Sequence, residues 1–200
     1  MAVTLKPIVK NRIVRHIDEH NLLGKSQHGF CKGKSCLTNL LEFFEGVTKH
    51  VGDPVDIMFL DFQKAFDKVP HQRLLSKVSC HEIRGKVLSW IVNWLKDKKQ
   101  RVGINGHFSE WREVNSGVPQ GSVLGPILFN IFINDLEKGV NGDVAKFTDD
   151  TKLLKIVKSQ ADCKELQMDP ANLGDLITQW QMKFNVDKCK VMHIGKHNPN

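Results

Sequence analysis

The feature that most constrains the fold is a short apolar run that ends in a carboxylate. Residues 55–62 read VDIMFLDF, and a run of this length and composition predicts a β-strand buried on both faces. Asp61 lies at the end of this run. An ionised carboxylate without a partner in such a place costs several kcal/mol, so Asp61 requires a cation or a hydrogen-bond network.

A pair of adjacent acids lies between two other strand candidates. Residues 144–147 and 153–157 predict short strands, and Asp149 and Asp150 lie in the segment between them. Like charges this close raise each other's pKa unless a cation neutralises them. With Asp61 they indicate a carboxylate cluster that holds Mg²⁺, because hard divalent cations prefer oxygen ligands. The alternative is that the two acids only form a polar hairpin turn.

Apolar residues recur at helical spacing along much of the chain. The pattern predicts helices over 7–20, 36–50, 71–78, 84–95, 123–136 and 161–182. Pro170 lies inside the last of these helices and is expected to break or kink it. A β-hairpin is predicted over 101–114, around Gly106, and a final strand over 190–194.

The charge of the chain favours an anionic partner. Lys and Arg number 29 against 22 Asp and Glu, which gives a net charge of +7. Much of the excess lies in six residues, named here the basic cluster: Arg84, Lys86, Lys96, Lys98, Lys99 and Arg101. Such a cluster favours nucleic acid as a partner. The alternative is a solvated helix surface.

The cysteines and the hydropathy pattern bear on the compartment. The chain has 5 cysteines, an odd number without regular spacing, which argues against a secreted disulfide framework. No apolar run approaches the roughly 18 residues of a spanning helix, and the first residues lack the pattern of a signal peptide. We therefore expect an intracellular protein, nuclear or cytoplasmic, without a membrane partner.

Five motifs follow one another in a recognisable order. They are SQHGFCKGKSCLTN (26–39), FLDFQKAFD (59–67), SGVPQGSVLGPILFNIFIND (116–135), KFTDDTKL (146–153) and WQMKFNVDKCK (180–190). Together they resemble the reverse transcriptase domain of non-long-terminal-repeat retrotransposons, of the jockey-like and chicken-repeat types. The resemblance covers about residues 8–198.

This resemblance implies an α+β fold, a polymerase palm with a partial helical fingers subdomain and no thumb. The palm would be an antiparallel sheet around the strands that carry Asp61 and Asp149-Asp150, backed by helices 71–95 and 123–136. Residues 1–54 would be partial fingers, and residues 55–200 the palm, with a fingers-like insertion around 84–115. The upstream endonuclease of such elements would also be absent.

The resemblance also implies catalytic roles for the three acids. Asp61 and Asp149 would ligate two Mg²⁺ ions, with Mn²⁺ as a possible substitute, and Asp150 would be the third carboxylate. The reaction would join a primer 3′-hydroxyl to a deoxynucleoside triphosphate, with RNA as template and DNA as primer. Catalysis would then rest mainly on geometry and charge neutralisation.

Further residues would contact the substrates by the same resemblance. Phe66 corresponds to the bulky side chain that excludes a ribose 2′-hydroxyl, although an aromatic here is otherwise ordinary core. Pro119, Gln120 and Gly121 correspond to the turn that packs on the nascent base pair, and are otherwise only a tight turn before a helix. The basic residues expected near template or triphosphate are Lys32, Lys34 and Lys188, and Lys188 is otherwise a solvated strand edge.

Two departures from the family pattern leave alternatives open. Thr148 stands where relatives have a small residue before the paired acids, and Pro170 interrupts a stretch that is continuous helix in relatives. The main alternative to an active polymerase is therefore a catalytically inactive, nucleic-acid-binding remnant of a retrotransposon polymerase. A further alternative is a protein-interaction fragment without a nucleic-acid role.

Overall fold

Two groups of secondary-structure elements make up the chain. The structure, a computed structural model, describes residues 2–196 and 198–199. By internal contacts, Leu23–Ala65 and Ile133–Asn200 form one unit, named here the sheet unit. Met1–Leu22 and Phe66–Phe132 form the other, named the helical unit. The division into fingers over 1–54 and palm over 55–200 stays a prediction.

The elements follow the predicted alternation of helices and strands. In chain order they are α1 (Ala2–Glu19), α2 (Cys36–Thr48), β1 (Val55–Leu60), α3 (His71–Cys80), α4 (Gly85–Leu95), β2 (Lys99–Gln100), β3 (Gly103–Ile104), β4 (His107–Phe108), β5 (Arg112–Glu113), α5 (Gly125–Phe132), β6 (Asp143–Phe147), β7 (Asp150–Ile156), α6 (Gln160–Gln179) and β8 (Lys190–Ile194). Among the described residues, no helix is both long and apolar enough to cross a membrane.

A four-stranded antiparallel sheet organises the sheet unit. Its order is β6–β7–β1–β8, so that β1 is an inner strand. In the register of β1 with β7, Leu60 lies opposite Thr151. Five of the six residues of β1 are buried, which confirms the strand predicted from the apolar run, and Asp61 directly follows its last residue.

Helix α2 covers part of this sheet. It begins with a capping box, in which the Thr38 amide donates to Ser35 Oγ at 3.2 Å and the Ser35 amide donates to Thr38 Oγ1 at 2.8 Å. Phe43 and Val47 of the helix pack against a buried cluster on the strands, formed by Val55, Ile57 and Leu154. The cap therefore positions the start of a helix whose apolar side completes the core.

The helical unit contains α1, α3, α4 and α5 and a small β-ribbon. Helix α3 contacts both α4 and α5, and α5 is buried along nearly its whole length. The predicted hairpin forms as two short pairs, β2 with β5 and β3 with β4. Its turn is Asn105-Gly106, with φ of 49° and 82°, the positive φ at both positions that a type I′ turn requires.

The predicted break at Pro170 does not occur. Helix α6 runs through this residue, and its start has a capping box between Ser159 and Asp162. A proline inside a helix costs about 3 kcal/mol, whereas burial of a leucine or isoleucine contributes about 1.5–3 kcal/mol. Leu166, Leu173 and Ile177 are buried on α6. Their combined burial outweighs the cost of the proline, which is why the helix continues.

Several element boundaries also differ from the sequence prediction. Strand β7 begins at Asp150 rather than at 153, because its polar first residues pair with β6 and β1. Helix α1 begins at Ala2, before Pro7, and helix α5 ends at Phe132 rather than at 136. Backbone pairing decides the start of β7, and it is not visible in hydropathy.

Candidate active site

Asp61 lies where strand β1 meets a segment from the end of the chain. Its carbonyl accepts a hydrogen bond from the Asn185 amide at 2.8 Å, and Phe62 and Phe184 form a β-bridge with ring centroids 5.2 Å apart. Among the described residues, no group donates a hydrogen bond to the buried Asp61 Oδ1. A buried carboxylate oxygen without a donor is costly, so this position favours a cation.

Lys188 provides the cation that the structure places at Asp61. Its Nζ lies 3.3 Å from Asp61 Oδ2. The lysine side chain is 64% exposed and that of Asp61 is 21% exposed, so this is an ion pair at the surface of the site. The structure therefore brings together Asp61 and one of the three lysines expected near the substrates.

Asp149 lies in the tight turn that joins β6 to β7. Phe147 and Asp150 are the last paired residues of the hairpin, and Thr148 and Asp149 are the two residues between them. Thr148 has φ of 59°, in the left-handed region that a β-branched residue rarely adopts. Such a conformation costs on the order of 1–3 kcal/mol, so the surroundings of the turn must hold it.

The charge state of Asp149 depends on its neighbours. Burial raises the pKa of the Asp149 carboxyl above its ordinary value, and the charges of Asp150 and Asp61 raise it further. A hydrogen bond from the backbone amide of Asp149 and the ammonium of Lys188 lower this pKa, but the upward shift prevails. Ionised Asp149 would therefore be stabilised by an additional cation.

The described acids do not form a complete metal-binding group. Within the described part of the chain, no group of three or more His, Cys, Asp or Glu side chains could hold an ion by itself. Mg²⁺ is commonly bound through one or two carboxylates, with water and substrate phosphates as the other ligands. Asp61 and Asp149 fit that role, because their charges interact and Asp61 Oδ1 accepts no hydrogen bond from the described residues.

Asp150 has a different setting from the other two acids. It is the first residue of β7 and is exposed, whereas Asp149 is half-buried. Its charge acts on Asp149, as the raised pKa of Asp149 shows. The role of Asp150 as the third carboxylate stays a prediction.

Phe66 and the turn at 119–121 belong to the helical unit. The Phe66 ring stacks on the ring of Phe129, with centroids 4.6 Å apart and an interplanar angle of 18°. Its carbonyl accepts a hydrogen bond from the Val118 amide at 2.8 Å, which places Phe66 beside the start of the Pro119-Gln120-Gly121 turn. The ring contact agrees with a core role, so exclusion of the 2′-hydroxyl remains a prediction.

Gly117 makes this close approach possible. A Cβ atom on Gly117 would lie 2.8 Å from the Asp67 carbonyl oxygen and 2.9 Å from that of Phe66, and its φ of 92° also disfavours other residues. In the turn that follows, Gln120 and Gly121 are exposed and Pro119 is half-buried. This exposure leaves the turn accessible to a ligand.

Lys32 and Lys34 lie shortly before the start of α2. Lys32 is exposed, and Lys34 donates a hydrogen bond to the carbonyl of Lys25. Both belong to the sheet unit. Their predicted contact with template or triphosphate stays a prediction.

Gln27 contacts the aspartate turn and was missed by the sequence analysis. It is 2% exposed, and its side chain forms hydrogen bonds with the backbone of Thr148, 121 positions away. Gln27 lies in the motif at 26–39, but the residues predicted from that motif to contact substrates were its lysines. No local pattern marks Gln27, because its partner Thr148 lies 121 positions away in the sequence.

The fold resembles that of a solved telomerase. The structure of apo telomerase from Candida tropicalis, truncated from the C-terminal domain, matches with a TM-score of 0.70 and 12% identity. The match covers 98% of this chain and 42% of that chain. At this identity the likeness establishes the fold alone, and it confirms the predicted mixture of helices and antiparallel sheet.

The sequence comparisons establish the family. Residues 4–199 match the family model described as reverse transcriptase (RNA-dependent DNA polymerase), and the chain therefore belongs to this family. The probable RNA-directed DNA polymerase from transposon BS of Drosophila melanogaster is 33% identical over 64% of this chain. The RNA-directed DNA polymerase from mobile element jockey of the same organism is 29% identical over 92% of it. The resemblance to jockey-like reverse transcriptases is thus confirmed.

The chain corresponds to a small part of these relatives. It spans 14% of the length of the transposon BS protein and 21% of that of the jockey protein. Reverse transcriptases generally use divalent metal ions.

Proposed function

We propose that this chain carries the catalytic carboxylates of an RNA-directed DNA polymerase that extends a DNA primer on an RNA template. The observation that carries the proposal is the position of Asp61 and Asp149 at the same end of two neighbouring strands, since Leu60 lies opposite Thr151 in the register of β1 with β7. One oxygen of Asp61 is buried without a hydrogen bond from the described residues, and its charge raises the pKa of Asp149. An acid whose ionisation is disfavoured by burial and by a neighbouring carboxylate is a suitable ligand for a divalent cation.

In this proposal Asp61 and Asp149 hold two Mg²⁺ ions, for which Mn²⁺ can substitute, and Asp150 adds a third negative charge. When bound, the ions would supply activation of the primer 3′-hydroxyl and neutralisation of the triphosphate charge. The strand β1 and the β6–β7 turn orient the carboxylates, because backbone pairing fixes both elements in one sheet. Precise orientation matters, since catalysis of phosphoryl transfer is mostly positioning and electrostatics.

The remaining predicted residues bind substrates in this proposal. Lys188, which reaches Asp61 in the structure, binds the triphosphate of the incoming deoxynucleotide. Phe66 excludes a 2′-hydroxyl, and the turn Pro119-Gln120-Gly121 contacts the nascent base pair. Lys32 and Lys34 contribute positive charge toward the template or the triphosphate. Support for these roles comes from the family and from the exposure of four of these residues, Gln120, Gly121, Lys32 and Lys188.

The cysteines support an intracellular compartment, nuclear or cytoplasmic. None of the five cysteines, Cys31, Cys36, Cys80, Cys163 and Cys189, forms a disulfide bond within the described part of the chain. Reduced thiols persist in compartments that glutathione and thioredoxin keep reducing. This agrees with a polymerase whose proposed template and primer are nucleic acids.

A second candidate function, binding of nucleic acid without catalysis, is favoured by the surface of the helical unit. Five members of the basic cluster are exposed, and Lys98 is half-buried over the ring of Trp94. The guanidinium of Arg101 lies 3.9 Å from the ring centroid of Phe108 and 4.6 Å from that of Trp111, and both rings are exposed. Cations next to exposed aromatic rings are typical of surfaces that bind single strands.

The metal site separates the two candidates. At a free metal concentration 100 times the Kd, binding stabilises the folded protein by about 2.7 kcal/mol. We therefore expect Mn²⁺ or Mg²⁺ to raise the Tm of the 200-residue protein. Asp149→Asn and Asp61→Asn should each remove most of this rise, because each removes a ligand charge. In the absence of metal, Asp149→Asn should be at least as stable as the wild type, since burial disfavours the ionised carboxylate.

Asp175→Asn is the matched control, because Asp175 is an exposed acid of α6 in the same unit. It should keep the full response to metal. Equal rises in Tm for the wild type and for all three variants would contradict the assignment of the site and leave the nucleic-acid-binding candidate.

A further inference from the structure

The side chain of Gln27 forms hydrogen bonds with both backbone polar groups of Thr148, the residue before Asp149. Gln27 Oε1 accepts a hydrogen bond from the Thr148 amide at 2.9 Å, and Gln27 Nε2 donates to the Thr148 carbonyl at 3.3 Å. The Thr148 carbonyl belongs to the peptide that links Thr148 to Asp149. The glutamine therefore holds the two peptide planes on either side of Thr148.

The orientation of the Gln27 amide is determined by its partners. The amide of Gly29 donates to the same Oε1 at 2.8 Å. Two N–H donors on one atom require that this atom is the oxygen, which leaves the nitrogen to face the Thr148 carbonyl. Since Gln27 is 2% exposed, water cannot readily replace these three hydrogen bonds.

Gly29 makes room for the turn. A Cβ atom on Gly29 would lie 2.3 Å from Thr148 Oγ1 and 2.6 Å from the Thr148 nitrogen. Thr148 is itself 5% exposed. The hydroxyl that distinguishes this turn from the family pattern is thus accommodated by the missing side chain of a glycine.

Backbone pairing anchors this contact to the sheet. The Lys146 amide donates to the Ser26 carbonyl, and the His28 amide donates to the Lys146 carbonyl, both at 2.8 Å. Gln27 and Lys146 thereby form a parallel bridge at the outer side of β6. The segment 26–29 is an extension of the sheet whose central side chain is directed at the turn.

We propose that Gln27 is a positioning residue for Asp149, an inference that rests on the proposed metal site. Thr148 has an unfavourable φ of 59°, so other conformations of the turn compete with the observed one. By bonding to the N–H and the C=O of Thr148, the Gln27 amide selects the observed conformation of the turn that carries Asp149. Loss of these hydrogen bonds should weaken metal binding more than it lowers the stability of the fold.

Gln27→Met is the main test, because it retains the length of the side chain and removes the three hydrogen bonds. Asn39→Leu is the matched control. Asn39 is 3% exposed, donates to the Lys146 carbonyl at 3.3 Å and accepts from Lys152 Nζ at 3.0 Å, so its loss also removes buried hydrogen bonds near β6. No described hydrogen bond of Asn39 involves the turn at Thr148.

The readouts are the Kd for Mn²⁺, measured by electron paramagnetic resonance, and hydrogen exchange of the Thr148 amide, measured by NMR. Loss of a group that orients a metal ligand typically costs about 10–100-fold in affinity. Gln27→Met should raise the Kd by about 10-fold or more and accelerate exchange at Thr148. Asn39→Leu should leave the Kd and the Thr148 exchange nearly unchanged, even if it lowers the Tm equally.

Gln27→Glu provides a second variant in case Gln27→Met does not fold. It keeps the oxygen that accepts from Thr148 and Gly29, but opposes a second oxygen to the Thr148 carbonyl. It should therefore retain protection of the Thr148 amide and still weaken Mn²⁺ binding.

The possible results distinguish this inference from the proposed function. Mn²⁺ binding that depends on Asp149 but is equal in the wild type and the Gln27 variants would overturn the positioning role alone. Equal weakening by Asn39→Leu would also overturn it, because the effect would then be one of general stability. Absence of Mn²⁺ binding by the wild type would overturn both the metal site and the inference.

Discussion

The ammonium of Lys188 and the carboxylate of Asp61 form an ion pair at 3.3 Å, although the residues are 127 positions apart. The lysine contacts Oδ2 of Asp61. The other carboxylate oxygen, Oδ1, is buried and accepts no hydrogen bond from the described residues. Positive charge at Asp61 is therefore supplied by a largely exposed side chain. A metal ion that binds Asp61 has to compete with this lysine.

Replacement of Lys188 by methionine should strengthen Mn²⁺ binding. An exposed ion pair contributes up to about 1 kcal/mol, so loss of the competing cation should lower the Kd by a factor of up to about 5. The Tm without metal should change little for the same reason. Titration with Mn²⁺ at low salt measures the effect, and Lys190→Met on the exposed start of β8 is the control. Weaker binding by Lys188→Met would show that the lysine supports the ion instead.

Phe66→Val should reveal whether the ring has one role or two. Loss of the stacked contact with Phe129 should lower the stability by about 1–3 kcal/mol, measured by urea denaturation. If Phe66 also excludes the 2′-hydroxyl, a longer, active polymerase that contains this chain should incorporate ribonucleotides more readily after the substitution. Phe129→Leu removes the same stack and keeps Phe66, so it should not alter the discrimination. Unchanged discrimination in Phe66→Val would leave Phe66 with only its core role.

Local patterns in the sequence predicted most of the elements. The apolar run at 55–62 has the length and composition of a buried strand, and β1 is found there. Helices α2, α3 and α4 follow the apolar spacing, and Asn105-Gly106 provides the turn of the predicted hairpin. Each of these elements depends on residues that are close together in the sequence, so the local pattern of apolar and turn-forming residues is enough to predict it.

The details of the candidate site depend on contacts between distant parts of the chain. Asp150 belongs to a strand because its partner β6 extends to Phe147, and hydropathy does not reveal that pairing. Gln27 meets Thr148, and Lys188 meets Asp61, only after the sheet has formed. The sequence motifs identified the acids themselves, but the groups that orient or neutralise them required the structure.

The stability of the sheet unit should fall as the solution is acidified through pH 6.5. Burial lowers the pKa of His28 below its ordinary value, the charge of Lys34 lowers it further, and the carboxylate of Glu42 acts in the opposite direction. Protonation therefore favours the unfolded state. The contribution of His28 is fully present above pH 6.5 and is lost as the pH falls toward the lower pKa of the folded state. Urea denaturation between pH 7.5 and 5 should show this loss, and His28→Gln should remove that part of the pH dependence.

Glu42→Gln should make the same pH dependence steeper. Glu42 Oε2 lies 2.8 Å from His28 Nε2 and stabilises the imidazolium. Without the carboxylate the pKa of His28 in the folded state should fall further, so more stability is lost on acidification. A shallower pH profile in this variant would contradict the assignment of the effect to His28.

Pro170→Ala should stabilise the protein. Alanine restores an N–H inside α6 and favours a helix interior by about 3 kcal/mol over proline, although the unfolded chain also gains about 0.4–1 kcal/mol of conformational freedom. We expect the free energy of unfolding to rise by about 2 kcal/mol, as measured with urea. Ala171→Gly at the adjacent exposed position should have the opposite sign, with a loss of about 1 kcal/mol. A loss of stability in Pro170→Ala would mean that proline is required by its packing.

Binding of nucleic acid should be separable from catalysis in the 200-residue protein. The exposed residues of the basic cluster can contact phosphates, so affinity for an RNA–DNA hybrid or a single strand should fall with salt. The log–log slope should be roughly −3 to −5 if about four to six phosphates are neutralised. Lys96→Gln combined with Lys99→Gln should reduce the magnitude of this slope by about 1–2, whereas Lys164→Gln on α6 should not.

Primer extension should be slight, because a misplacement of about 1 Å can cost on the order of 10²-fold, and the chain spans 21% of the jockey polymerase. Rapid template-dependent extension by this chain would refute an inactive remnant, and binding that does not respond to salt would contradict the role of the basic cluster.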